Sequence, residues 1–217
     1  MNLPDRRAVL HWLAAVPALG MSAACGKRRP PAVDFSDAER AFNASDYDRV
    51  RKLWTRHDKL VRDIGTVLEM WVTYKSAEFR QAYLAQYAEV YGLRGEELAE
   101  LRKSQLEASR TGYEFHVVAQ STEWKWNDLE QKDSVWKIVL ADGSGQEIAP
   151  VQVSYEKLPA LYEMRFFPER TDFSRTYTIR FPREAGGKFS GASTGKLALR
   201  VVGPLGVAAV DWDTSGA

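Results

Sequence analysis

Glu114–Gln120 reads EFHVVAQ and Arg175–Pro182 reads RTYTIRFP, and the same kind of segment recurs around them. The others are SVWKIVLADGSG from Ser134, PVQVSYE from Pro150, LYEMRFFP from Leu161, KLALRVVGP from Lys196 and GVAAVDW from Gly206. Each is short, mostly alternates apolar with polar residues, and is bounded by Gly, Pro or Asp. That is the pattern of half-buried strands separated by tight turns. Seven such segments from Tyr113 onward predict an antiparallel sandwich or barrel, immunoglobulin-like in arrangement. No Cys-Trp-Cys framework is present to make it a true immunoglobulin domain.

Toward the N-terminus the period lengthens. SAEFRQAYLAQYAEVYGL places Phe79, Tyr83, Tyr87 and Val90 on one helical face, with Ser76 as its cap and Gly92 as its stop. Glu96–Ser109 reads as a further, charged helix. Thr66–Tyr74, TVLEMWVTY, is dense in β-branched and aromatic residues and reads as a strand. A continued helix is the rival there, because Ile64, Val67, Leu68 and Trp71 also fit a helical stripe. These segments together predict a helical hairpin between two strands.

Further back, Val50, Leu53, Trp54, His57, Leu60 and Val61 recur at helical spacing, opposite a basic face of Arg49, Arg51, Lys52, Arg56 and Lys59. That stripe predicts a helix starting after Ser45 or Asp46. Ser36-Asp37-Ala38-Glu39 carries a capping-box pattern and predicts a short helix running toward Ala44. The expected fold class is α+β, as a single body over 35–217. Residues 35–112 are mainly helical with one strand, and residues 113–217 form the β-rich, sandwich-like part.

With 217 residues, 45% hydrophobic and 27% charged, the chain has the composition of a globular protein. Its 30 Lys plus Arg against 29 Asp plus Glu leave no cationic excess for gripping a nucleic acid backbone. After Met21 no apolar run approaches the roughly 18 residues of a spanning helix, so the body is expected to sit in water.

The first 24 residues have the three parts of an export signal. Arg6 and Arg7 form a positive n-region, AVLHWLAAVPALGM is apolar, and Ser22-Ala23-Ala24 is a small-residue run before Cys25. Small residues leading into a cysteine resemble the lipobox of bacterial lipoproteins, although Ser22 stands where that motif usually has Leu. The resemblance implies that the Cys25 sulfur is diacylated and that cleavage makes it the first residue. It would also account for a single cysteine with no disulfide partner. Ordinary signal cleavage near Ala24, leaving a thiol, is the alternative. Asp5-Arg6-Arg7-Ala8-Val9-Leu10-His11 also resembles the twin-arginine export motif, with Asp5 in place of its usual Ser or Thr. Residues 25–34 then read as a basic, Pro-rich tether reaching no more than about 30 Å. Lys27, Arg28 and Arg29 are placed to meet anionic headgroups, or are a simple positive flank.

Chemistry-bearing motifs are sparse. His57 and His116 follow the signal far apart in sequence, and each reads better as a packed histidine than as a catalyst. No HExxH motif or cysteine pair suggests zinc, and no GxSxG elbow marks a nucleophile. Asp142-Gly143-Ser144-Gly145 reads as a turn between strands and lacks the Lys of a phosphate loop. Asp211–Gly216 resembles the opening of a calcium loop, but no distal bidentate carboxylate follows. The sequence thus assigns no catalytic residue, metal or cofactor.

STEWKWNDLEQKDS is the most unusual stretch. On a strand, Trp124 and Trp126 would face the same side, either as core or as an exposed platform able to stack on sugars or partner side chains. Core, or a covering loop, is the expected fate. The whole resembles uncharacterised bacterial envelope lipoproteins. That resemblance implies a membrane-anchored, non-catalytic binding or assembly module whose partner is another envelope protein. A carbohydrate or peptidoglycan binder using the tryptophans, and a hydrolase with a dispersed carboxylate pair, are the rival readings.

Overall fold

A computed structural model describes residues 30–183 and 189–214, so Arg6, Arg7 and Cys25 lie outside the described residues. The fold is α+β, with nine strands in two antiparallel sheets and four α-helices among the described residues. The first sheet joins β1 (Thr55–Arg62), β2 (Gly65–Tyr74), β3 (Gly112–Gln120), β7 (Arg175–Pro182) and β6 (Gln152–Glu156) in the order β1-β2-β3-β7-β6. The second joins β4 (Lys137–Asp142), β5 (Glu147–Ile148), β8 (Lys196–Gly203) and β9 (Gly206–Asp213) in the order β5-β4-β8-β9.

The alternation seen in the sequence is what closes the sandwich. Phe115, Val117 and Ala119 of β3 and Tyr177, Ile179 and Phe181 of β7 are buried, as are Leu197, Leu199 and Val201 of β8 and Ala208, Val210 and Trp212 of β9. All belong to one core. Trp212 packs its ring 5.4 Å from Phe115 and 6.0 Å from Tyr74, while its indole N–H donates to the Trp54 carbonyl at 2.9 Å. A wholly buried ring of this kind contributes about 2–3 kcal/mol by area, and its one polar atom is satisfied.

The helices cover the other face of the first sheet. Helix α2 (Ala77–Tyr91) starts where expected, with Ser76 Oγ accepting from the Phe79 amide at 3.1 Å. It ends at Gly92, whose φ of 69° is the left-handed conformation that glycine adopts without a Cβ penalty. Helix α3 (Gly95–Thr111) returns the chain to β3, and β3 pairs directly with β2. The hairpin between two strands is as the sequence predicts, and Thr66–Tyr74 is strand.

Three expectations change. The stripe from Val50 to Val61 is split: helix α1 (Tyr47–Trp54) ends at Thr55, whose φ of −92° and ψ of 133° begin β1. The basic-aliphatic segment after Trp54 gains a strand partner, pairing Arg56 with Val72 and Leu60 with Leu68. A helical and a two-residue period coincide too closely over so few residues to be separated in advance. LYEMRFFP is helix α4 (Ala160–Phe166) rather than a strand. Tyr162 and Phe166, four residues apart, pack with tilted rings 4.8 Å apart, and Tyr162 reaches across to Tyr83 by a 2.8 Å hydroxyl contact. The Ser36 capping box opens no helix, because Asp34 takes both the Ser36 amide and its hydroxyl, each at 2.9 Å. The first helical turn (Ala44–Asp46) begins instead after Asn43, whose amide donates to Asp46 Oδ2 at 3.0 Å.

Candidate functional site

The tryptophan stretch does not form a strand. Trp124–Trp126 is a single 3-10 turn within the connection from β3 to β4, so the two indoles do not share a face. Trp126 is partly buried and packs against the core, whereas Trp124 is 55% exposed. The expected core or covering-loop fate therefore fits Trp126 alone.

The surrounding loop is pinned at both ends. Thr122 donates its amide and hydroxyl to the Thr66 carbonyl, at 3.2 and 2.6 Å. Asn127 is wholly buried and donates from Nδ2 to the Ala119 carbonyl at 2.9 Å. The Tyr177 hydroxyl donates to the Asn127 carbonyl at 2.8 Å, and the Trp136 indole donates to the Trp126 carbonyl at 2.8 Å. Leu129 and Trp136 plug the core from this loop. Trp124 thus stands on a fixed base.

Arg175, at the start of β7, supplies its cationic neighbour. The guanidinium carbon lies 4.4 Å from the Trp124 ring centroid and 5.5 Å from that of Tyr155 on β6. Its Nη1 donates to the Asn127 carbonyl at 2.6 Å and stands 3.8 Å from Glu130 Oε1. A guanidinium stacked on an indole is worth about 0.5–2 kcal/mol, and here it orders an exposed aromatic surface. Tyr155 is itself 42% exposed. The Trp124–Arg175–Tyr155 stack is the candidate site.

Trp124 and Arg175 are far apart in sequence, and nothing local to either announces the contact. Only the register of β3 against β7, which pairs Ala119 with Arg175, brings them together.

The histidines fall on two different strands with β2 between them: His57 pairs with Trp71, and Thr73 pairs with His116. His57 is not on a packed helical stripe. It stacks on Trp71 at 4.8 Å and meets Glu69 Oε1 through Nε2 at 2.9 Å, with its side chain 45% exposed. Glu69 also accepts from Gln120 at 2.8 Å. Burial opposes its charge, but the hydrogen bonds from His57 and Gln120, with Lys59 beside it, leave its pKa below the ordinary carboxylate value.

His116 is buried on the helix-facing side of β3, stacked on Phe167 at 3.5 Å, with Nε2 unpartnered. Burial pushes its imidazole well below the ordinary value, and Lys75 adds to that shift. Nearby Glu114 is met by Lys75 at 2.6 Å, Arg80 at 3.2 Å and Arg180 at 3.1 Å. Burial alone would raise the pKa of Glu114, yet the three cations outweigh it and hold that pKa at about 2.

Asp142 closes the expected turn before β5. Its Oδ1 accepts from the Ser144 amide and hydroxyl and from the Gln146 amide, and Oδ2 accepts from the Ser190 amide at 2.7 Å. Among the described residues no three His, Cys, Asp or Glu side chains gather as a metal site, and no helix is long and apolar enough to cross a membrane. A groove of about 350 Å³ lined by Phe42, Ala85, Leu106, Arg40 and Arg102 holds none of the residues singled out above.

No protein-family model and no curated protein matches the chain. A solved structure of a novel protein of unknown function from Burkholderia pseudomallei K96243 is similar over 82% of this chain and 94% of its own. The identity is 12% and the TM-score 0.38, too low to carry any argument.

Proposed function

We propose that this protein is a lipid-anchored binding module of the bacterial cell envelope, held by acylated Cys25, with the Trp124–Arg175–Tyr155 stack as its contact surface for another envelope protein. The observation that carries the binding half is the exposure of Trp124 on a base fixed by Asn127 and Trp136. Exposed aromatics prearranged by hydrogen bonds lose little entropy on binding, and Trp, Tyr and Arg are the residues that dominate contact energetics. The anchoring half rests on the small-residue run before the solitary cysteine. The carboxylates with displaced acidity, Asp34, Asp46, Glu69, Glu114 and Asp142, all move down, held by hydrogen bonds and, for all but Asp142, by a neighbouring base. A general acid needs the opposite shift.

Metabolic labelling with a fatty-acid analogue tests the anchor: the unsubstituted protein takes up label and fractionates with membranes, and Cys25→Ala does neither. Equal labelling of both would end the lipoprotein reading. A glycan is the second reading, favoured by the exposed Trp124 indole with the partly exposed Tyr155 ring on the other side of Arg175. Co-sedimentation with purified peptidoglycan that Trp124→Ala abolishes would select it.

A further inference from the structure

At the end of β3 remote from Trp124, the helix-facing side of the first sheet gathers a cluster of charge. Register aligns it: Glu114 of β3 pairs with Arg180 of β7, and Arg180 pairs with Gln152 of the edge strand β6. Lys75, directly after β2, donates its amide to the Glu114 carbonyl at 2.9 Å. Helix α2 adds Arg80, whose Nε donates to the Lys75 carbonyl at 2.9 Å and whose Nη1 donates to Gln105 of α3 at 2.6 Å.

These charges do not balance. Lys75, Arg80 and Arg180 all meet the single Glu114 carboxylate, and among the described residues none of them reaches another acid. Two positive charges are therefore in excess. Burial lowers the pKa of Lys75, with Arg80 and Arg180 adding to that shift and Glu114 opposing it, so the cations repel one another here. Arg80 is buried, and its Nη2 makes no hydrogen bond. A buried donor of that kind ordinarily has an acceptor.

The cluster is open on one side. The Arg180 side chain is 51% exposed and that of Lys75 23%, while the carboxylate they share is 9% exposed. Among the described residues Arg180 Nη2 has no acceptor, and Lys75 Nζ donates only to Glu114 Oε1. Because both cations hold one carboxylate, Lys75 Nζ and Arg180 Nε lie within about 8 Å of each other, a gap that one tetrahedral oxyanion bridges with two charge-assisted hydrogen bonds. A phosphate monoester carries close to two negative charges at neutral pH, which matches the excess.

We propose that Lys75 and Arg180, backed by Arg80, form a binding site for a phosphate dianion, as inorganic phosphate or as the end of a phosphate monoester. The site is separate from the Trp124 surface and does not depend on the lipid anchor.

The test measures thermal unfolding of the full chain, purified in detergent, with inorganic phosphate or glycerol 3-phosphate against sodium chloride of equal ionic strength. The expected result is a midpoint about 3 °C or more higher in about 10 mM of at least one of the two phosphates. Arg180→Gln changes a half-exposed side chain and should remove the rise, and Lys75→Gln should remove it as well. Arg200→Gln changes a comparably exposed cation, paired with Glu147 in the second sheet, and should keep it. A rise with inorganic phosphate alone supports the site and assigns it to the free ion; a rise with glycerol 3-phosphate alone supports it and assigns it to an ester. No rise with either, or a rise that both Arg180→Gln and Lys75→Gln retain, would overturn the proposal.

Discussion

The Arg175 guanidinium lies 4.4 Å from the Trp124 ring and holds it at the surface, while Trp136, ten residues on from Trp126, reaches back into the core and bonds to it. One loop therefore holds tryptophans with opposite tasks. Trp124→Ala should shift stability by no more than about 1 kcal/mol, the scale of a surface cation–π contact. Trp136→Ala should cost about 3–5 kcal/mol through lost packing. Urea unfolding of both variants checks the contrast, and a large loss for Trp124→Ala would mark it as structural.

Arg56 links three segments. It donates to the carbonyls of Asp211, Leu53 and Pro31 from a buried position. Burial lowers its pKa to about 10, still cationic at neutral pH. Arg56→Met keeps the aliphatic stem and leaves those oxygens without their donor, so a loss of about 2–4 kcal/mol is expected. Proteolysis after Lys27–Arg29 should leave the Val33 segment less protected than in the unsubstituted protein.

Acid should destabilise the fold in two stages. His116 has a folded pKa below its ordinary 6.5, so the unfolded chain binds more protons and stability falls as pH drops below 6.5. Glu114, at about 2 against an ordinary 4.5, stabilises above 4.5 and loses that contribution as pH falls toward about 2. His116→Phe retains an aromatic partner for Phe167 and should flatten the first stage only. An unchanged pH slope between 4.5 and 6.5 would assign that stage elsewhere.

Glu114→Gln removes the shared anion of Lys75, Arg80 and Arg180. Buried Arg80 and part-buried Lys75 are left facing one another beside the half-exposed Arg180, and a loss of about 3–5 kcal/mol is expected by thermal or urea unfolding. An effect within experimental error would mean that the pairs are solvated in solution.

The strands of the sandwich were legible because one face is apolar and the other is not: Phe115, Val117 and Ala119 alternate with Glu114 and His116. Helix α2 was legible from its two ends, Ser76 and Gly92. Helix α4 was not, because its aromatic residues have strand propensity and its helical contacts come from Tyr83, far away in sequence. Strand β1 was hidden for a related reason, since only pairing with β2 decides between its two periods. Of the candidate site, Trp124 could be read locally. Arg175 and Tyr155 join it through strand order, which no local pattern encodes.

The central claim is that Trp124 belongs to a contact surface. Its most direct test places a photo-crosslinking residue at position 124 of the anchored protein in intact cells, with the exposed Val202 position on β8 as control. One discrete adduct with an envelope protein is expected from position 124 and none from position 202. The same adducts from both positions, or none from position 124 in a folded and membrane-held protein, would contradict it.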